Sequence, residues 1–163
     1  TRQYRYNSTY LRGTIMANHV RQQIRERVGT VLTGLTTTAS RVFESRVYAL
    51  QDSELPALLI YTKTEDSEPL VMSSDRVMQR ELSIAVECYA KANSNFDDTI
   101  DTICKEVEEA IAADTTLNNL AKDIYISSTN IEFNAEGESP VGYATLTFLT
   151  TYHVKETNPD VAV

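Results

Sequence analysis

The residues whose types and spacing could do chemistry are Asp97, Asp98 and Asp101. On a helix these three can share a face, and clustered carboxylates can hold a hard cation such as Mg²⁺ for a hydrolytic reaction. The same acids in a first helical turn also stabilise the helix dipole and need no further role. No phosphate-cradling glycine loop and no second acidic motif accompanies them, so the dipole reading is favoured. No metal, no cofactor and no catalytic residue is expected. The histidines add little, since His19 and His153 form neither an HxxxH nor an HExxH pattern. Cys88 and Cys104 are not a CxxC pair, and both fall on apolar stripes, where a thiol is normally buried and inert. Ser73-Ser74-Asp75 lacks the GxSxG elbow of a nucleophilic serine.

The elements that must position these residues come from a chain of 163 residues, which fits one domain able to bury a core without disulfides or metals. The longest apolar run, Ala57 to Tyr61, is far too short to cross a bilayer, and no secretory leader is evident, so a reduced, cytosolic environment with no membrane contact is expected. Charge is uneven. Residues 1–27 hold six arginines against Glu26, a balance of +5, so the other 136 carry −13 of the total −8. An acidic body argues against a nucleic-acid reader, which needs clustered positive charge. It does suit a surface that DNA slides past.

Residues 1–16 are polar and rich in Tyr and Arg, an extension or an arm, while Met16-Ala17-Asn18 would make a natural start. From Asn18, a plausible N-cap, the residues Val20, Ile24, Val28, Val31, Leu32 and Leu35 repeat at helical spacing. Strands are expected at Arg46–Leu50, Leu55–Thr62 and Arg80–Ala90, with a polar acidic loop over residues 63–78. A second helix over Asp97–Ile111 shows a stripe of Ile100, Ile103, Cys104, Val107, Ala110 and Ile111. Strands at Asp123–Phe133 and Val141–Val154 flank an acidic turn with Gly137 and Pro140, and the chain from Glu156 onward should fray. The expected fold is α+β: a single mixed or antiparallel sheet of about five strands with two helices on one face, spanning residues 17–155, followed by a flexible tail at 156–163.

That order of elements, with Leu55-Pro56-Ala57-Leu58-Leu59-Ile60-Tyr61, Glu81 to Tyr89, the acid-capped second helix and the closing Leu146-Thr147-Phe148-Leu149-Thr150-Thr151-Tyr152, resembles the minor tail protein U family over roughly residues 17–154. These are the tail terminators of siphophages. The resemblance implies a non-enzymatic virion protein of the tail or neck, assembled in the host cytoplasm. It would form a ring, usually a hexamer, on the last ring of tail-tube protein. The ring stops polymerisation and offers its other face to the head-tail connector, and DNA passes through without specific binding. A closing ring needs a heterologous interface. The charge asymmetry suggests one in which Arg21 and Arg25 of one subunit meet an acidic surface of the next, Glu65-Asp66 and Glu68 or Glu136 and Glu138. Other readings are a different neck component, such as a head-tail joining or tail-completion protein, a dimeric adaptor, or a Mg²⁺-dependent hydrolase using Asp97, Asp98 and Asp101.

Overall fold

The structure is a computed structural model describing residues 18–163 apart from 48, 93 and 135–140. Its described elements run α1 (Val20–Leu32), β1 (Val42–Phe43), a short 3₁₀ turn (Asp52–Glu54), β2 (Ala57–Pro69), β3 (Val77–Lys91), α2 (Phe96–Ala112), β4 (Asp123–Asn134), β5 (Val141–Lys155) and β6 (Asn158–Ala162). The strands form one curled mixed sheet in the order β1-β2-β3-β5-β4, with β6 also on β5; only β1 and β2 run parallel. The fold is therefore α+β, as expected. No described helix is long and apolar enough to cross a membrane.

Helix α1 forms because Val20, Ile24, Val28 and Leu32 recur one turn apart, and all four are fully buried. Each such side chain contributes about 1.5–3 kcal/mol relative to exposure. The N-cap is His19 rather than Asn18, because the imidazole Nδ1 accepts the Arg21 N–H at 3.0 Å as an Asn oxygen would. Gly34, at φ +94°, adopts the left-handed conformation that ends the helix and turns the chain back. In α2 the buried stripe is Phe96, Ile100, Ile103, Cys104, Val107 and Ile111, with Asp97 and Asp98 in the first turn. The Phe96 ring lies on Gly142 of β5, where an added Cβ would stand 2.1 Å from the ring. Both helices pack against the sheet face that carries Leu58, Ile60, Leu82, Ile84, Val86, Leu146 and Phe148. Arg27 ties α1 to the linker after α2 through Asp114 at 2.7 Å, and Leu117 of that linker is fully buried.

Three local expectations are corrected. Arg46–Leu50 is not a strand; Val42–Phe43 pairs with Leu58 and Leu59 instead, and Arg46 sits in a turn with its guanidinium over the Tyr61 ring at 4.8 Å. The Arg41 side chain stabilises that earlier pairing by donating to the carbonyls of Pro56 and Thr37. Residues 63–78 are not a long loop. After a bulge between Thr62 and Glu65, β2 and β3 stay paired out to Pro69 and Met78, leaving a short turn over 70–76. Backbone pairing is indifferent to side-chain polarity, and the acids there report two solvated faces. The end of the chain does not fray: Val154 pairs with Ala162, Gln23 of α1 donates to the Asp160 carbonyl at 2.9 Å, and Pro159 is tolerated on an edge strand. The extension at 1–16 lies outside the described residues.

Candidate assembly surfaces

At the base of the paired arm formed by the outer halves of β2 and β3, Glu65 joins four elements. Its Oε1 accepts from Arg21 Nη1 of α1 at 2.9 Å and from Arg80 Nη1 of β3 at 2.7 Å, and its Oε2 accepts from the Tyr152 hydroxyl of β5. The Glu65 side chain is only 9% exposed. Burial alone would raise its carboxyl, but the Tyr152 hydroxyl and the two guanidinium groups more than offset that and hold it below the ordinary range. The Tyr152 hydroxyl is pushed well up, by burial first and then by its bond to Glu65.

Beyond this knot the β2 side of the arm has no core, while the outer half of β3 stays paired with β5 and Met78 packs partly buried against the core. Asp66 and Glu68 are exposed, as is the tip, where Leu70, Val71 and Met72 stand in solvent with Met72 80% exposed. The base of the tip is laced by Arg76 to Glu156 at 2.8 Å and Lys155 to Asp75 at 2.7 Å. A second exposed apolar region lies along β4, an edge strand of the sheet. Tyr125, Ile126, Ile131 and Phe133 are 52%, 36%, 53% and 58% exposed. Between β4 and α2 runs a groove with a hollow of about 380 Å³ floored by Ile111, Ile124, Ile126 and Phe148 and rimmed by Glu108 and Glu109. A neighbouring hollow of about 420 Å³ adds Asp101, Lys105, Thr129 and Ile131.

The sheet face turned away from the helices carries a tyrosine cluster. Glu87 accepts from Tyr61 at 2.6 Å and from Tyr89 at 2.9 Å, the Tyr89 and Tyr143 rings stack at 4.9 Å, and Tyr143 donates to Glu132. Burial, and then the bond to Glu87, push the Tyr61 hydroxyl up to about 12. Sequence reasoning gave Glu87 and Tyr89 no role. The available signal was the set of tyrosines and acids on neighbouring strands.

The structure brings together some of the charged residues singled out in the sequence and separates others. Arg21 and Glu65 meet, within one chain. Arg25 comes to 3.9 Å from Glu44, away from Asp66 and Glu68. Glu136 and Glu138 lie outside the described residues. Asp97, Asp98 and Asp101 are exposed along α2, and no group of three or more potential metal ligands gathers among the described residues. His153 contacts the Gln79 side chain at 3.2 Å. Cys88 and Cys104 are buried against each other; their mutual hydrogen bond and burial push the Cys88 thiol well above its ordinary value.

Among the described residues no three potential metal ligands gather, and the exposed features are the arm tip, the β4 edge and the groove beside it. The phage minor tail protein U family matches residues 19–152, from the cap of α1 to the last buried tyrosine of β5. The chain belongs to that family. It is a structural protein of the phage tail and a component of the virion. No curated protein matches the chain. Among solved structures, a chain of the virion of a native gene transfer agent particle is similar at 10% identity, over 85% of this chain and 95% of that one, with a TM-score of 0.36.

Proposed function

We propose that this minor tail protein U family member is the tail terminator: a closed ring, six-fold in the simplest case, seated on the last ring of tail-tube protein. There it stops polymerisation, and its opposite face receives the head-tail connector. Assembly takes place in the host cytoplasm, and the finished ring stays in the neck of the virion. The observation that carries the reading is the family match over residues 19–152. Two features support it. Exposed apolar residues cluster on two unlike surfaces, the arm tip and the β4 edge, as a head-to-tail contact requires, while Val47, Val161 and Val163 are exposed elsewhere. The net charge of −8 suits a lumen that DNA traverses without sticking.

In this reading the charged residues divide into two groups. Arg21 and Glu65 fix the base of the arm from within. Asp66, Glu68, Glu136, Glu138 and Arg25 remain for contacts with neighbours. Light scattering on the protein alone and with cognate tail tubes tests the proposal. A ring of defined mass on tube ends, with overlong tubes when the protein is omitted, is the expected result. A protein that ignores tubes and binds an isolated connector instead would assign it to another joint of the neck.

A further inference from the structure

The arm tip and the α2–β4 groove are unlike in shape and alike in chemistry. The tip is a narrow protrusion whose residues Leu70 to Ser74 carry no charge, with Leu70, Val71 and Met72 exposed. The groove is a concave strip with an apolar floor of Ile111, Ile124, Ile126 and Phe148. We propose that the two are halves of one contact: the tip of one subunit seats in the α2–β4 groove of the next, and repetition of that contact closes the ring. The inference rests on the ring reading above and names the surface that makes it.

Individual charge pairs and the spacing allow this occupant. At the base of the tip stand Arg76 and Lys155, exposed and held only by the exposed acids Glu156 and Asp75, pairs that exchange partners at little cost. The rim that they would face carries Glu108 and Glu109. Further down the arm, Asp66 lies four residues before Leu70, about 13 Å along a strand. In the groove, Lys105 lies six residues before Ile111, about 9 Å along a helix. A tip seated against Ile111 with its stem running back along α2 would bring the stem acids Asp66 and Glu68 within side-chain reach of Lys105, which lies 3.8 Å from Glu109 in its own chain. The outer edge of β4 runs beside the same strip. The knot at Glu65 holds the arm at a set angle, so little conformational freedom is lost on docking.

The test is thiol crosslinking on capped tubes. Cys88 and Cys104 are buried, so introduced thiols are the reactive ones. The double variant Met72→Cys with Ile126→Cys, treated with a short bismaleimide, should give a ladder of covalent oligomers ending at the ring number. Either single variant should give none. A second pair, Val71→Cys with Ile131→Cys, guards against a variant that disturbs assembly. If rings form on the tubes and neither pair crosslinks, the proposed contact is wrong while the ring reading survives. A Met72→Cys product containing tube protein would assign the tip to the tube and overturn the contact in the same way. If the unaltered protein forms no ring on tubes, the failure lies with the terminator reading, and this contact falls with it.

Discussion

The inner and outer halves of the β2–β3 ribbon share one backbone ladder and live in opposite environments. From Ala57 to Ile60, and from Leu82 to Val86, every residue is buried. Past the bulge between Thr62 and Glu65, pairing continues out to Pro69 and Met78 with almost no core on either face. The inner half is held by the side chains that it buries. The outer half is held by its ladder, by the pairing of β3 with β5, by Met78 and by the Glu65 knot at its base. Stability and interaction are thus separated along a single pair of strands, and substitutions should sort accordingly.

The largest effect belongs inside. Ile84 is fully buried and paired across from Phe148. Ile84→Ala removes its buried methyl groups and leaves a cavity, at a cost of about 2–5 kcal/mol. Denaturant unfolding should show the midpoint falling with little change in slope. A loss under 1 kcal/mol would mean that the inner ribbon is not where the stability resides.

The knot comes next. Glu65→Gln keeps the shape but leaves Arg80 and the half-exposed Arg21 facing a neutral amide. Removing one partner of a buried pair costs up to about 3–5 kcal/mol, and the exposure of Arg21 places this case lower, at about 2–3 kcal/mol. The pH dependence has a defined sign. The folded Glu65 carboxyl is held below its unfolded value of 4.5, so its contribution is complete above that value and is lost as pH falls through the lower folded value. Unfolding measured from pH 7 down to 3 should show acid destabilisation in the wild type and a shallower decline in Glu65→Gln. Parallel curves would sink the account of the knot.

The same contrast explains what was legible in the sequence. Periodicity reports burial, so α1, α2, the inner ribbon and β5 could be read from Val20 to Leu32, Phe96 to Ile111 and Ala144 to Val154. The outer arm and β6 are strands without a buried stripe, and composition alone made residues 63–78 and 156–163 look like loop and tail. Arg46–Leu50 failed for another reason: β1 is two residues long, and Arg41 and Arg46 decide its position by contacts with distant carbonyls. The sequence reading set Arg21 against the acids Glu65 to Glu68 of a neighbouring subunit, whereas Arg21 and Glu65 pair within one chain. Sequence could not say that they belong to one chain, because that depends on the bulge that turns Glu65 toward Tyr152.

The smallest effect on stability should come at the tip, and there the comparison is sharpest. Met72 is 80% exposed and lies outside the core, so Met72→Ser should shift unfolding by no more than about 0.5 kcal/mol. If the outer arm exists for contact with another molecule, the same substitution should still weaken ring formation on tube ends, read as a fall in the fraction of capped tubes. Ile84→Ala should do the reverse, lowering the unfolding midpoint while folded protein still caps tubes at low temperature. A tip variant that caps tubes as well as the wild type would leave the exposed arm without a role in assembly.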